Sequence, residues 1–111
     1  MDSKAMTFYP RGGVEVEKYY RDTKLHREDG PALIRYNEDG TVSHEYYFIE
    51  NEIHREDGPA VVRWGRPLLS GYFGFYKRGQ ELDINAFSGV IDPSTGEVLD
   101  QTSFDLIYNM L

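Results

Sequence analysis

Short runs in which apolar and polar residues alternate, separated by turn-forming residues, make up the first three quarters of the chain. Residues 42–48 (VSHEYYF) are one such run and predict a strand, and residues 37–40 (NEDG) predict the turn before it. A second turn is expected at 49–51, followed by a short strand at 52–54. That strand cannot extend past Pro59, because proline has no N–H to donate to a β ladder. The pattern therefore predicts a succession of β-hairpins.

This pattern returns along the chain with an offset of 28 residues. The segment LHREDGPA at 25–32 recurs as IHREDGPA at 53–60, and the wider windows 24–36 and 52–64 share eight identities in 13 positions. Four of the five differences replace one apolar or aromatic residue by another of similar size. Both identity and side-chain volume are preserved between the copies, so the chain contains an internal repeat of one β-rich unit.

The repeat divides the chain into three units and a C-terminal segment. Unit one spans 8–35, unit two spans 36–63, and a partial unit three spans 64–82, where the HREDGPA segment is absent. Terminal units of repeat arrays are often atypical because they close the stack. Residues 83–111 have no repeat character and are expected to cap the array. A chain of 111 residues has the length of one compact domain, so we predict that 1–111 forms a single domain.

The C-terminal segment has the pattern of a hairpin and a short helix. Residues 90–99 surround a PSTG turn and predict the hairpin. Ser103 is expected to cap a helix over 104–111, whose apolar residues have the i, i+3, i+4, i+7 spacing of one helical face. A helix this short must pack on something to be stable. The predicted fold class is therefore mainly β, an antiparallel meander of repeated β-hairpins with a short C-terminal hairpin and helix element.

Aromatic residues make up 14% of the chain and fall into two neighbouring columns of the repeat. The first column is Tyr19, Tyr47 and Phe75, and the second is Tyr20, Phe48 and Tyr76. Successive residues of a strand face opposite sides of a sheet, so the first column is expected to line a core while the second faces away from it. We expect either the C-terminal segment or a partner protein to cover the second column.

The repeated loop resembles that of the MORN-like repeat proteins of tailed phages and giant viruses, whose units carry the signature H-R-x-D-G-P-A. Residues 26–32 and 54–60 match this signature, and the Asp-Gly turn at 39–40 and the paired aromatics at 46–47 agree with the family pattern. The family often has Asn-Gly ahead of the His-Arg pair, which only residues 78–79 approach. The resemblance covers about two thirds of the chain. It implies a meandering β-sheet that serves as a binding scaffold with no shared chemistry, and it suggests a viral or prophage origin.

The charge of the chain is unevenly distributed. Residues 1–78 carry 12 basic and 13 acidic side chains, whereas residues 79–111 carry six carboxylates and no Lys or Arg. Binding to the phosphates of nucleic acid needs the opposite sign, so direct nucleic-acid binding is not expected. The carboxylates either form a solvated surface or dock on a basic protein surface meant for nucleic acid, where opposite charge speeds association.

Other features of the composition limit the compartment. Cysteine is absent, which excludes disulfides and thiolate metal sites. No apolar stretch approaches the roughly 20 residues that span a bilayer, and residues 1–8 lack the apolar run of a signal peptide. We therefore expect a cytoplasmic protein with no membrane partner, located in the host cytoplasm if it is encoded by a phage.

The loops of the repeat hold the residue types that could carry chemistry. A metal ion could use His26 with Asp29, or His54 with Asp57, but the sequence offers neither pair a third ligand. Paired carboxylates occur twice in equivalent turns, whereas an active site needs an asymmetric set of groups. We therefore expect no metal, no cofactor and no catalysis, and we assign the loops a structural role. The structural residues are His26, Arg27, Asp29, Gly30, Pro31, His54, Arg55, Asp57, Gly58 and Pro59.

Two further expectations concern these loops. Their glycines are expected to hold backbone angles that other residues avoid. Their arginines are expected to pair with the aspartates of the neighbouring unit, which would form a charged ladder that fixes the register of the units. Arg35 and Arg63 repeat with the same 28-residue offset.

These observations together predict a non-catalytic protein-binding module. Its most concrete form is a phage-encoded inhibitor of a host defence complex, such as an anti-CRISPR protein, that docks on the basic surface of a nucleic-acid-processing complex. One alternative is a structural module that forms homo-oligomers through its sheet edges, and another is a metal or small-ligand binder that uses the His-Asp turns. The candidate partner-binding residues are Glu81, Asp83, Asp92, Glu97, Asp100, Asp105, Tyr20, Phe48 and Tyr76.

Overall fold

The computed structural model describes residues 1–65 and 71–111, and the chain is mainly β structure, as the sequence predicts. Residues 66–70 of the predicted third unit lie outside the described residues. The strands are β1 (Asp2–Phe8), β2 (Val14–Arg21), β3 (Lys24–Leu25), β4 (Leu33–Tyr36), β5 (Val42–Tyr46), β6 (Phe48–Ile49), β7 (Glu52–Ile53), β8 (Val61–Arg63), β9 (Tyr72–Gly74), β10 (Tyr76–Lys77) and β11 (Gln80–Glu81). A short 3₁₀ helix (Ile84–Phe87) and one α-helix, α1 (Gln101–Met110), follow them.

The strands form one main antiparallel sheet and two small hairpins. The main sheet has the order β1-β2-β4-β5-β8-β9, with β3 paired to β2. Strand β6 pairs with β7 and strand β10 pairs with β11, each in a separate two-stranded hairpin. Neighbours in the sheet are consecutive long strands of the chain, so the predicted antiparallel meander is confirmed.

Backbone hydrogen bonds repeat with the 28-residue offset. In each unit the N–H at the position of the loop histidine donates to the carbonyl of the first aromatic column. These bonds join His26 to Tyr19 at 3.0 Å, His54 to Tyr47 at 3.0 Å and Leu82 to Phe75 at 2.7 Å. The third unit therefore keeps the backbone arrangement of the other two although its side chain at this position is leucine.

The predicted strand over 42–48 is interrupted at Tyr47. Its N–H still bonds to the carbonyl of Ala60 in the main sheet at 2.8 Å, but the next residues leave that sheet to pair with β7. Glu50 and Asn51 form the turn of this small hairpin with φ angles of 46° and 69°. Two successive residues with positive φ are the requirement of a type I′ turn, which matches the twist of two tightly joined strands.

The first aromatic column alternates with alanines across the main sheet. The N–H of Tyr19 bonds to the carbonyl of Ala32 and that of Tyr47 bonds to the carbonyl of Ala60, both at 2.8 Å. Both alanines are 0% exposed. Small alanine side chains between the large rings leave room for the rings on the same face of the sheet. This face is therefore covered by alternating large and small side chains and not by a second layer of aliphatic residues.

The core lies at the C-terminal end of the array, over the third member of the aromatic column. Rings of α1 and of the 3₁₀ helix pack on Phe75, which is 2% exposed, with centroids 5.9 Å from Phe75 for both Phe87 and Phe104. The core residues are Phe75, Phe87, Ile91, Phe104 and Tyr108. Each fully buried ring contributes about 1.5–3 kcal/mol, so this cluster holds the capping segment to the sheet.

The capping segment is held by a hairpin and by the helix. The predicted hairpin forms, with a bridge between Ile91 and Val98, and its turn brings Gly96 so close to Phe73 that a Cβ would lie 2.6 Å from the ring. The helix begins earlier than expected, at Gln101, because Asp100 and not Ser103 is its N-cap. No helix among the described residues has the length and hydropathy needed to cross a membrane.

Candidate binding surfaces

Each repeat loop is organised around one arginine. In unit two, Nε of Arg55 donates to Oδ1 of Asp57 at 2.8 Å and Nη1 donates to the carbonyl of Pro59 at 3.0 Å. Its guanidinium lies over the ring of Tyr47, with Cζ 4.1 Å from the ring centroid. Burial raises the pKa of Tyr47, and the Arg55 charge opposes that shift. The arginine thus closes the loop and covers one side of the aromatic column.

Unit one has the same arrangement. Nε of Arg27 donates to Oδ1 of Asp29 at 3.0 Å, Nη1 donates to the carbonyl of Pro31 at 3.2 Å, and Cζ lies 4.0 Å from the ring centroid of Tyr19. Each arginine therefore pairs with the aspartate of its own loop, two residues away. The expectation of a charged ladder between units is therefore wrong. The loop folds so that each guanidinium bonds to the carboxylate of its own unit.

The loop glycines are explained by crowding. Neither Gly30 nor Gly58 has a positive φ, so the expectation of unusual backbone angles is wrong. A Cβ on Gly58 would lie 2.9 Å from Cζ of Arg55, and a Cβ on Gly30 would lie 3.1 Å from Cζ of Arg27. The loop therefore needs glycine because the arginine crosses directly over it.

The two loop histidines tie each unit to the next. Nδ1 of His26 accepts the N–H of Glu50 at 3.1 Å, and Nδ1 of His54 accepts the N–H of Arg78 at 2.9 Å. Since Nδ1 accepts in both rings, each neutral imidazole carries its proton on Nε2. In His54, Nε2 is 3.3 Å from Oε1 of Glu56. Both histidines therefore fix the hairpin turn of the following unit through Nδ1, whereas Nε2 of His26 is buried without a hydrogen-bond partner among the described residues, 3.4 Å from Oε1 of Glu28.

A cleft of about 600 Å³ lies between the two repeat loops. Its floor includes Tyr47, and its walls carry the carboxylates of Glu28, Asp29, Glu56 and Asp57. These four side chains are 69%, 87%, 77% and 71% exposed. Among the described residues, the cations that line this cleft are the two loop arginines, and Arg21, outside the lining, lies 3.5 Å from Glu28. Four carboxylates therefore outnumber three guanidinium groups and the cleft is net negative.

The capping helix lies next to this cleft. The ring of Tyr108 packs edge-on against His54, with centroids 6.4 Å apart. Burial, with a smaller contribution from the charge of Glu56, raises the pKa of Tyr108 to about 12. The acidic capping segment and the acidic cleft are therefore neighbours on the molecule.

Three of the C-terminal carboxylates hold local turns. Asp83 accepts the N–H of Asn85 at 2.9 Å at the start of the 3₁₀ helix. Asp92 accepts Ser94 Oγ at 2.6 Å and Asp100 accepts Ser103 Oγ at 2.8 Å, and these hydrogen bonds lower the pKa of each aspartate. These hydrogen bonds in turns and helix caps explain why the three aspartates are present, and no partner protein is needed to account for them.

The other C-terminal carboxylates are exposed. Oε2 of Glu81 accepts the hydroxyls of Tyr76 at 2.8 Å and Tyr72 at 3.3 Å, and Asp105 accepts Nε2 of Gln101 at 2.8 Å. Within residues 1–65 and 71–111, none of the six C-terminal carboxylates lies in an ion pair. Their negative charge is thus uncompensated among the described residues.

The second aromatic column is half-buried and is not covered by the core cluster. Tyr20 lies in a smaller cleft beside the first repeat loop, and Phe48 packs near Tyr46 with centroids 6.5 Å apart. Hydrogen bonds with Tyr72 and Glu81 raise the pKa of Tyr76. These three rings lie in different surroundings, and of the three, Tyr76 alone is bonded to one of the candidate carboxylates, Glu81, among the described residues.

A third surface lies at the turn end of the strands. A cleft of about 1180 Å³ there is lined by Arg35, His44, Arg63 and Trp64, among others. In the sequence the two arginines form a repeated pair, and His44 has no equivalent in the HREDGPA loops. Only the strand register shows that these side chains are neighbours, so no local sequence signal could have grouped them.

No group of three or more His, Asp or Glu side chains is arranged to hold a metal ion in the part of the chain that the structure describes. No family model matches the chain, and no curated protein or solved structure matches it either.

Proposed function

We propose that this chain is a non-catalytic protein-binding module whose acidic cleft and capping segment receive a basic segment of a partner protein. The observation that carries the proposal is the cleft between the repeat loops, where four exposed carboxylates outnumber three guanidinium groups. Opposite charge raises the association rate of such a partner and aligns it on the surface. The aromatic floor at Tyr47 offers contact area for the aliphatic stem of a lysine or arginine.

The loop residues support a binding role over catalysis because their reactive atoms are already used. The arginines are bonded to an aspartate and a carbonyl, and one imidazole nitrogen of each histidine accepts a backbone N–H. The two loops are also equivalent, whereas catalysis needs different groups in different roles. Nε2 of His26 is unpaired among the described residues but buried, so the exposed outer oxygens of the carboxylates are the atoms that remain accessible to a ligand.

The more specific proposal is a phage-encoded inhibitor of a host defence complex, of the anti-CRISPR kind. It is supported by the resemblance of the HREDGPA units to MORN-like repeats of viruses and by the charge of residues 79–111, which have six carboxylates and no Lys or Arg. A protein surface that normally holds nucleic acid is basic, and an acidic protein can occupy it without containing nucleic acid.

A plaquing assay tests this proposal. The chain is expressed in bacteria whose CRISPR defence restricts a phage, and plaquing efficiency is compared with that of empty vector. We expect the wild type to restore plaquing and Glu28→Gln/Glu56→Gln to restore it less, while Glu15→Gln, a control in β2 that does not line the cleft, behaves as wild type. Failure in hosts that represent each defence type would contradict the specific proposal.

The broader binding role needs a separate measurement. Proteins captured from the host by cross-linking to the wild type would be identified, and association with the purified candidate measured across ionic strength. We expect the on-rate of the wild type to fall as salt rises, because the Debye length shortens from about 10 Å at 0.1 M to about 3 Å at 1 M. An on-rate that Glu28→Gln/Glu56→Gln leaves unchanged would refute the role of the cleft.

A second candidate function, self-association, is favoured by one strand. β1 is at the edge of the main sheet, and all seven of its residues are exposed. An exposed edge strand presents unpaired N–H and C=O groups to another chain. Light scattering over a range of concentrations tests it, and Met6→Pro, at a position whose N–H points away from β2, should then return a dimer to monomer. A chain that is monomeric at all concentrations would exclude this function.

A further inference from the structure

The main sheet carries its charges on separate faces. We call the face with the first aromatic column the loop face and the opposite one the basic face. Because side chains alternate along a strand, Glu17 and Glu45 lie on the loop face, where they accept hydrogen bonds from Tyr36 and Trp64. The intervening positions of the same strands lie on the basic face.

Three basic side chains form a row across the basic face. Arg35 of β4 is directly opposite His44 of β5, and His44 is directly opposite Arg63 of β8. Directly opposite residues in an antiparallel pair point to the same face, with Cβ atoms about 4.5–5.5 Å apart. The two guanidinium groups therefore flank one imidazole, and all three side chains line the cleft at the turn end of the strands.

Among the described residues that strand pairing places beside this row, none is a carboxylate, although Glu38 and Asp39 line the same cleft from the turn. The row continues with Val16 on one side and Tyr72 on the other, and the neighbouring row consists of Lys18, Leu33, Tyr46 and Val61. Within residues 1–65 and 71–111, neither guanidinium makes a hydrogen bond or an ion pair. Arg27 and Arg55 of the repeat loops each make a hydrogen bond and an ion pair, so unpaired guanidinium groups distinguish the basic face from the loops.

This arrangement opposes protonation of His44 in the free protein. A protonated imidazole would place like charges directly opposite each other, which destabilises a sheet. Burial and the charges of Arg35 and Arg63 lower the pKa of His44, whose Nδ1 is 2.9 Å from Oγ of Ser43. The ring also stacks parallel to Tyr46, with centroids 6.0 Å apart, which fixes its orientation. A bound anion would remove the repulsion, because it would interact favourably with all three groups at once.

We propose that Arg35, His44 and Arg63 form a binding site for a single phosphate group. The guanidinium fork matches the oxygens of a phosphate, and two such forks around one imidazole can converge on one anion. The remainder of the cleft, about 1180 Å³ with Trp64 and Tyr36 in its lining, has room for the molecule that carries the phosphate. The site goes beyond the protein-binding role, since its three basic side chains lie on the basic face. Tyr36 and Trp64, which bond to Glu17 and Glu45 of the loop face, line the same cleft at the turn end of the strands.

The proposal is limited to one phosphate. A long polyanion would pass the carboxylates elsewhere on this chain, whose net charge is −7. It would gain little from counterion release at three side chains. A nucleotide and a phosphorylated side chain of a partner share the required chemistry, and the experiment distinguishes these sources.

Fluorescence of the single tryptophan, Trp64, provides the assay because this residue lines the cleft. Sodium phosphate is titrated at constant ionic strength against sodium chloride. We expect saturable binding to the wild type, at least tenfold weaker binding to Arg35→Gln/Arg63→Gln, and unchanged binding to Lys24→Gln, an exposed control in β3. No saturation in the wild type, or equal binding by the double variant, would overturn the site.

Two further variants guard against loss of folding. Arg35→Lys/Arg63→Lys keeps the charges but loses the forks, so we expect an intermediate affinity in a protein with the wild-type thermal midpoint. Affinity equal to the wild type would show that only net charge matters and would overturn the site. Adenosine monophosphate and a phosphoserine peptide are then compared with phosphate, and the ligand that binds tighter identifies the source. Tighter binding of single-stranded DNA than of any of these would overturn the limit to one phosphate.

The role of His44 is tested with sulfate, which stays a dianion from pH 5.5 to pH 8. The charged groups that face His44 are Arg35 on β4 and Arg63 on β8, with Tyr46 on its own strand and Glu38 and Asp39 at the turn of the same cleft. We expect sulfate to bind more tightly as pH falls and the imidazole gains its proton, and His44→Gln to lose this dependence. Equal pH dependence in both proteins would exclude His44 from the site.

Discussion

The substitution Gly58→Ala gives the sharpest test of how the repeat loop is built. The added Cβ would lie 2.9 Å from Cζ and 3.2 Å from Nε of Arg55, distances that force the guanidinium to move. The backbone itself does not oppose alanine, because φ at this position is not positive. The cost of the substitution therefore measures how firmly the arginine is held.

The size of the effect follows from the contacts of Arg55. Displacing it weakens the pair with Asp57, which is worth about 0–1 kcal/mol because that carboxylate is 71% exposed. It also removes the bond to the carbonyl of Pro59, about 1–1.5 kcal/mol, and the stacking on Tyr47, about 0.5–1 kcal/mol. Replacing glycine by alanine returns about 0.4–1 kcal/mol through the unfolded chain. We expect a net loss of about 0.5–3 kcal/mol.

Urea denaturation of a double-mutant cycle measures this quantity. We expect Gly58→Ala to be destabilising in the wild type and neutral or stabilising in Arg55→Ala, where the clash is absent. Gly30→Ala should cost less because its contact is 3.1 Å. Gly13→Ala is the matched control, since its Cβ would meet only a carbonyl oxygen at 3.9 Å. A penalty at Gly58 that persists without Arg55, or one no larger than at Gly13, would refute this account of the loop.

Two other predictions concern the histidines and the aspartate caps. His26→Ala and His54→Ala should each lower the free energy of unfolding by about 1–3 kcal/mol in urea denaturation, because each leaves a backbone N–H without its acceptor. If one variant lost partner binding while its stability stayed normal, the structural role of the histidines would be contradicted. Serine hydrogen bonds lower the pKa of Asp92 and Asp100, so their contribution to stability is complete above the unfolded pKa near 3.8 and is lost as pH falls through the lower folded pKa. Asp100→Ala should therefore lower the thermal midpoint at pH 6 more than at pH 2, and an equal loss at both would refute the cap.

Local signals in the sequence were sufficient for the hairpins and the meander. Alternating residues and Asp-Gly or Asn-containing turns act within a few positions, so the strands β5 and β7 could be placed to within two residues. The interruption at Tyr47 could not be predicted from such local signals, because it depends on which strand accepts a hydrogen bond from the N–H of Tyr47. That partner, the carbonyl of Ala60, is 13 residues away in the sequence.

The error at the helix start has a local cause. Asp100 and Ser103 are both good N-cap residues, and the sequence pattern fits either choice. In the structure they serve together, since Asp100 accepts both the N–H and the hydroxyl of Ser103. The apolar spacing of the helix was right for Phe104 and Tyr108, which are buried, but Leu111 is 51% exposed. The helix ends at Met110, so Leu111 is its C-cap and does not continue the buried face of Phe104 and Tyr108.

The phosphate site shows which information the sequence lacks. Arg35, His44 and Arg63 are separated by nine and 19 residues, and only the pairing of β4, β5 and β8 brings them together. A shift of one residue in either pairing would move a side chain to the opposite face and break the row. Charge counts over segments of the chain cannot detect this arrangement, because they do not separate the two faces.

The end of the repeat array explains why the third unit differs from the others. Tyr19 and Tyr47 are half-buried beneath an arginine, and a hydroxyl at the ring edge still reaches polar surroundings. At the equivalent position, Phe75 is covered by the rings of Phe87 and Phe104 and is 2% exposed. A buried hydroxyl there would need a partner, and an arginine loop would occupy the space of the capping helix. Loss of the HREDGPA segment in unit three and the change from tyrosine to phenylalanine are therefore two parts of one replacement, in which an aromatic core takes the place of the charged loop.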